Sequence, residues 1–347
     1  MRIAVAGDGI AAHLAALMLA RVASVTRVPI GAGGQGLGPI GAAVVGAPDW
    51  CDADVAAAIG DVPGAVPALG LAFAGWSATP WFLPYGAVGA PLQDVPFAQI
   101  VARLRAEGRP VRTGDVSLAT MAAQAGRYAS RSADPRSPLS TLRPGTIYPA
   151  EALAARLAAA ADRAGVVTSA RLAAPMGAAE RLALVDGATI DADLFVDASG
   201  GAAGVAAGAW ESWRDWLPCT RVASRIVADA GPARAYPLHT ATPHGWQATV
   251  ALDGARVETR YTAAGDGEPY ENGRRAATWA GRRVAIGAAA GVIEPLFADA
   301  LQLAHDAVAR LIALLPAAGT DGRVEAREYH RLTAPHYDRA RDAAIAL

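Results

Sequence analysis

Two glycines and an alanine near the start of the chain are spaced for one kind of chemistry. Gly7, Gly9 and Ala12 spell G-x-G-x-x-A, after an apolar run at residues 3–6 and ahead of an Ala- and Leu-rich run at residues 11–20. A strand, a glycine turn and a helix in that order bring backbone N–H groups and the positive end of a helix dipole to a diphosphate. Gly7 permits the sharp turn, Gly9 lets a pyrophosphate approach the backbone, and Ala12 lets helix and strand pack closely. Ile10 and Ala11 supply amides at the helix tip. Two neighbours weigh against the ligand. Asp8 puts a negative charge inside the turn, and Pro29 stands where the second strand should end in an acid for a ribose hydroxyl. The turn reads either as a dinucleotide site or as packing left behind by one.

Two later turns can return to the same nucleotide. Residues 194–196 form a strand running into Asp197-Ala198-Ser199-Gly200, and residues 282–295 form a buried strand running into a Gly/Ala turn with Gly287, Gly291 and Pro295. The Gly-rich stretch 31–41 lacks a strand-then-helix frame and reads as a flexible loop able to line a cofactor groove.

Three side chains are candidates for catalysis. Glu294, before Pro295, is either a base or orienting group at a cofactor edge, or a cap for a helix starting near residue 298. Asp299 has the same two readings, with capping of the first turn favoured. His244 falls in an expected strand and reads first as structural, second as catalytic. His13, His305, His330 and His336 show no metal-ligand spacing, and Cys51 and Cys219 match no metal or redox motif, so no metal is expected. Trp210, Trp213 and Trp216 are expected as an aromatic helix stripe in the core.

The elements that must position these residues follow from periodicity. Residues 1–30 read β-α-β, and residues 31–90 are Gly/Pro/Ala-rich and irregular. Helices are expected at 96–108, 148–166, 298–316 and 324–346, a surface loop at 131–145, and alternating strands over 220–262. The nucleotide domain is expected to be discontinuous, built from 1–85, 145–205 and 280–347. A β-rich substrate or cap domain is expected at 86–144 and 206–279.

Composition excludes several classes. A net charge of −1 over 347 residues leaves no footprint for nucleic acid or an anionic membrane. No apolar run spans a bilayer, and the signal-like start is interrupted by Asp8 and His13, so a cytoplasmic protein is expected. All 31 basic residues are Arg, and the chain contains no Lys.

In this order, several segments resemble the flavin-dependent tryptophan halogenase family. They are "YPAEALAARLAAAADRAGV", "ADLFVDASG", "WESWRDWLPCTRVAS", "GRRAATWAGRRVAIGAAAGVIEPL" and "EYHRLTAPHYDRARDAAIAL". The resemblance covers most of the chain. It implies an α/β fold: an FAD-binding Rossmann-like domain of the two-dinucleotide-binding, glutathione-reductase and aromatic-hydroxylase type, with an inserted β-rich substrate domain. It implies FAD as cofactor and a flavin reductase as partner. In the family, hypohalous acid made at the reduced flavin travels to a Lys, and a Glu nearby helps activate the arene. The family Lys position falls on Ala68, counting back from Trp76, and the family Glu position after E-P-L falls on Phe297. The halide-contacting Thr-Gly falls on Asp299-Ala300, and of the W-x-W-x-I-P stretch only Trp246 remains at residues 246–251. The chain is also expected to lack the family's C-terminal substrate-covering region. Arg cannot replace the Lys, because a guanidinium stays protonated and poorly nucleophilic.

The expected protein is an FAD-binding, halogenase-like flavoprotein oxidoreductase that does not halogenate. It would be a monooxygenase or an oxidase acting on an aromatic or small organic substrate. Its flavin would rest on Gly7, Gly9, Ile10, Ala11, Ala12, Asp197, Gly200, Gly287, Gly291 and Pro295. The alternative is a non-catalytic relative that binds flavin, another ligand or a protein; a halogenase with a rearranged site comes third.

Overall fold

The computed structural model describes residues 1–31, 37, 41–86, 88–89, 92–109, 111, 113–177, 179–206, 208–228, 234–297, 299–317 and 320–347. The Gly-rich stretch expected as a loop at 31–41 lies outside them, apart from Gly31, Leu37 and Gly41.

The first strand, Arg2–Ala6, is the middle of the nucleotide half. Ser24–Val28 pairs parallel on one side and Leu194–Asp197 on the other, with Val167–Thr168 and Arg283–Ala285 beyond and Trp279–Ala280 antiparallel at the edge. Both faces of the inner strands are covered, so they carry unbroken apolar runs. The register sets Ala6 beside Asp197 and Asp197 beside Ala285. Three strand ends therefore stop level with one another, and each runs into a glycine-bearing turn. That is the edge of an α/β sheet where ligands bind.

The helix Ile10–Leu19 is buried at every residue except His13, as a helix apolar all round must be. It packs between the helices Ala150–Arg163 and Ala300–Ala313. His13 is accommodated by the Arg27 guanidinium, 2.9 Å from its Nδ1, and Arg27 in turn reaches Asp162 and Thr168.

The second half is a seven-stranded sheet in the order Glu268–Pro269, Arg221–Ala228, Ala255–Thr262, Gly245–Leu252, Leu238–Thr242, Gly70–Ala74, Trp81–Pro84. Neighbours are antiparallel except Leu238–Thr242 with Gly70–Ala74. The last two strands lie on the nucleotide side of the boundary expected at residue 85, yet they belong to this sheet. Gly and Pro within 60–84 hid their alternation. Two strands of that irregular region, Ala43–Gly46 and Val66–Ala68, flank Gly145–Pro149 in a three-stranded sheet.

Helices form at Phe97–Ala106, Ala150–Arg163, Ala300–Ala313 and Arg323–Ile345, as the spacing predicts. The tryptophan stripe does not. Trp210 is in the strand Trp210–Ser212, Trp213 is buried in the following turn, and Trp216 is exposed. The Arg341 guanidinium lies 5.2 Å from the ring centres of both Trp213 and Trp216. No helix among the described residues is long and apolar enough to cross a membrane.

Candidate functional site

The Gly7 turn is built as a cradle. Gly7 has φ +143°, and a Cβ there would sit 2.7 Å from the Ala198 carbonyl oxygen and 3.0 Å from the Ala12 methyl. Only glycine lets the turn close against the neighbouring strand end. Gly9 precedes the helix in extended conformation and offers no side-chain cap. The amides of Ile10 and Ala11, in the first turn, have no intrahelical acceptor. Asp8, the charge expected to repel an anion, is turned aside: its Oδ2 accepts the Ile30 and Gly31 N–H groups, each at 2.9 Å. This pins the chain just past Pro29, whose carbonyl takes the Leu172 N–H. The residues fit a diphosphate at the helix tip, but no acid is present at this strand end for a ribose.

Asp197 has a different task. It is fully buried, and its carboxylate accepts the Ser199 N–H at 3.0 Å, the Ser199 hydroxyl at 2.6 Å and the Ala206 N–H at 2.9 Å. Ser199 Oγ then accepts the Ala203 N–H. The pair ties down the turn in which Gly200 and Gly201 take left-handed backbone, at φ +73° and +93°. Gly287 opens the third turn at φ +60°. Gly291 faces the Tyr337 ring so closely that a Cβ would lie 2.7 Å from it.

Beyond these turns lies a small cavity of about 30 Å³, lined by Val44, His239, Trp246, Tyr261, Pro295 and Ala300 among others. That volume holds one or two waters. Aromatic rings fill the space around it: Trp246 stacks on Tyr261 at 4.1 Å, and Phe73 stacks on Trp81 at 4.1 Å. Phe297 packs against Phe73 at 5.8 Å, and Ala68 is fully buried in the same cluster. Ala248 also lines the cavity. Neither position 68 nor position 297 carries a Lys or a Glu, and both side chains pack in this aromatic and aliphatic cluster.

Glu294 is buried beside this cavity with its oxygens occupied. It accepts the Trp246 indole N–H at 2.5 Å and an Asn272 amide N–H at 2.9 Å, and the Cys219 thiol also donates to it. Burial raises its carboxyl above the usual range, and these three donors pull it back. Burial and the Glu294 charge push the Cys219 thiol up to about 12. Glu294 does not cap the following helix, which starts at Ala300.

Asp299 directly precedes that helix, but its side chain makes no capping bond. Its Oδ1 is closed off from solvent and has no partner among the described residues, and burial raises the carboxyl to about 6 against a hydrogen bond from its own backbone. His244 lies in the exposed two-residue turn between Leu238–Thr242 and Gly245–Leu252 rather than in a strand, facing solvent.

The buried histidine of this region is His239, which the sequence did not single out. It is 3% exposed, lies against Phe73 and Trp246, and pairs with the Leu296 backbone. Burial pushes it down to about 3, so it is neutral, and its Nδ1 has no partner among the described residues. The signal for it was its position in the alternating strand before His244. No group of three or more potential metal ligands occurs among the described residues.

A sequence profile for the tryptophan halogenase family matches residues 2–264 and 255–347. A search of curated proteins returns no match. Among solved structures, a flavin-dependent halogenase from Brevundimonas sp. BAL3 superposes with a TM-score of 0.82 at 24% identity, over 99% of this chain and 77% of its own. A flavin-dependent halogenase from Xanthomonas campestris gives 0.83 at 22% identity, over 99% and 76%. A tryptophan 6-halogenase from Streptomyces toxytricini gives 0.79 at 20% identity, over 98% and 77%.

Proposed function

The chain belongs to the tryptophan halogenase family, and from that premise we propose that it is an FAD-binding oxidoreductase that does not halogenate by the family's amine-dependent route. Its substrate is an aromatic or small organic molecule, and its chemistry is that of a monooxygenase or oxidase. The cradle at Gly7, Gly9, Ile10, Ala11 and Ala12 would hold the diphosphate, with the turns at Gly200, Gly287, Gly291 and Pro295 beside it. Asp197 holds one of those turns in shape. Bound FAD would supply two-electron redox chemistry toward oxygen. The segments 1–85, 145–205 and 280–347 serve the cofactor, and 86–144 and 206–279 the substrate, apart from the two strands in 70–84 that join the large sheet.

One observation carries the negative half of this reading. By motif spacing the family's Lys and Glu fall on Ala68 and Phe297, which pack in an apolar cluster, and the chain has no Lys to relocate. A hypohalous acid would meet no amine there. The chain has no second nucleotide fingerprint, which fits reducing power from a separate flavin reductase. Its two unpaired cysteines fit a reducing compartment such as the cytoplasm.

A second reading rests on the cavity. At about 30 Å³ it is far smaller than the roughly 300–1,000 Å³ of ordinary ligand pockets. That size favours a relative that binds flavin or a protein without turnover.

Titration of the purified protein with FAD separates the readings. A yellow complex that dithionite bleaches and air restores supports the oxidoreductase. Absence of binding at saturating FAD excludes the oxidoreductase and leaves, of the second reading, a relative that binds a protein. With a flavin reductase, bromide and indole, no bromoindole should form above the no-enzyme control.

A further inference from the structure

The small cavity beside Pro295 has a polar atom to spare. His239 lines it and is 3% exposed, yet its Nδ1 has no partner among the described residues. Two other polar groups of the lining are already paired. The Thr259 hydroxyl lies 2.8 Å from that of Ser224, and the Trp246 indole N–H donates to Glu294. The His239 ring stands edge-on to Phe73, centres 5.2 Å apart, and tilted against Trp246 at 5.0 Å. Phe73 and Trp246 are themselves stacked on Trp81 and Tyr261, so packing holds the imidazole in place.

Buried polar atoms in folded proteins are almost always paired, so this one needs an explanation. The other ring nitrogen, Nε2, meets the Leu296 backbone, and that contact favours the protonated ring, as an accepting carbonyl does. The ring proton is therefore assigned to Nε2, and Nδ1 is a bare lone pair that can only accept. Ala300 lines the same cavity as the first residue of the helix Ala300–Ala313. The N–H groups of a first helical turn have no acceptor inside their helix. One hydroxyl suits both: its oxygen accepts from the helix and its O–H donates to Nδ1. A halide, a carbonyl or a nitrile has no proton to offer the lone pair. At about 30 Å³ the space admits one or two waters, or a group of that size.

We propose that this cavity is a hydroxyl-binding site, in which His239 Nδ1 accepts the O–H of one water or of the hydroxyl end of a small substrate. The water source stands on the cavity and its unpaired acceptor. The substrate source rests on the oxidoreductase reading and narrows it to small molecules that end in a hydroxyl.

Long-range proton–nitrogen correlation spectra of FAD-free protein, labelled at histidine, tell a protonated Nδ1 from a hydrogen-bonded or a bare one. His239→Phe identifies the signal. Ala248→Val keeps His239 and adds methyl bulk to the cavity wall, so it identifies the signal if the first variant does not fold. A held water makes Nδ1 unprotonated and hydrogen-bonded in buffer, and Ala248→Val moves it to the bare position. A site for a substrate hydroxyl shows Nδ1 bare in buffer and shifted saturably by methanol, but not by acetonitrile. The proposal is overturned by a protonated Nδ1, by one as hydrogen-bonded in Ala248→Val as in the wild type, by one bare in buffer and methanol alike, or by equal shifts with acetonitrile. If FAD does not bind, the oxidoreductase reading fails and takes the substrate source with it, while the spectra still decide the water.

Discussion

The indole N–H of Trp246 donates to Glu294 Oε2 at 2.5 Å, in a region where both residues are 4% exposed. This bond joins the large sheet to the turn that leads into the helix Ala300–Ala313, so it fixes how the two halves of the site meet. Taking the carboxyl away leaves the Trp246 indole N–H and an Asn272 amide N–H buried without their acceptor, at about 1–3 kcal/mol each. Glu294→Leu should therefore destabilise the protein by about 2–4 kcal/mol. Glu294→Gln keeps an acceptor for the indole and should cost about 1 kcal/mol. Urea unfolding of Glu294→Leu, Trp246→Phe and the double variant should give a coupling of about 1–2 kcal/mol. Additive losses would show that the bond does not hold the halves together.

Gly7→Ala tests the cradle. The new methyl would lie 2.7 Å from the Ala198 carbonyl oxygen, at a backbone angle of +143° that alanine avoids. The chain should still fold, at a cost of about 1–3 kcal/mol. FAD affinity measured by calorimetry should fall at least about tenfold.

Asp197→Asn tests the turn beside it. An amide nitrogen in place of an acceptor would face the Ser199 or Ala206 N–H groups. The expected loss is about 2–3 kcal/mol. Hydrogen exchange should quicken at residues 199–206, with little change in the helix Ile10–Leu19.

The nucleotide half was legible because it repeats one local rule. Apolar runs of three or four residues lead into glycine turns at 7, 200 and 287, and the helices Ala150–Arg163 and Ala300–Ala313 have clean amphipathic spacing. The strands Gly70–Ala74 and Trp81–Pro84 were not legible, because glycine and proline break the period-two pattern and their partner strand, Leu238–Thr242, is far away in sequence. The same distance hid the site chemistry. Asp8 reads as a charge in an anion turn until Ile30 and Gly31 are seen to consume it. Glu294 reads as a cap until Trp246, Asn272 and Cys219 surround it. His239 was passed over for His244, because one strand residue and one turn residue look alike until the hairpin is closed.

Asp299 makes a prediction whose sign is distinctive. Burial raises its carboxyl from 3.8 to about 6, so the folded protein holds this proton more tightly than the unfolded chain does. Its contribution to stability is full below about pH 4, declines as pH rises toward 6 and is level above that. Two histidines run the other way. His13 and His239 are lowered from 6.5 to about 4 and about 3, so each adds stability as pH climbs toward 6.5. The wild-type curve alone therefore mixes opposing slopes, and only the difference from Asp299→Asn isolates the carboxyl. That variant should gain on the wild type between pH 4 and 7 by on the order of 1–3 kcal/mol. Thermal or urea unfolding at pH 4, 5, 6 and 7 measures it. A flat difference would mean that the Asp299 carboxyl ionises as freely in the fold as in water, and one that grows toward low pH that the fold favours its anion.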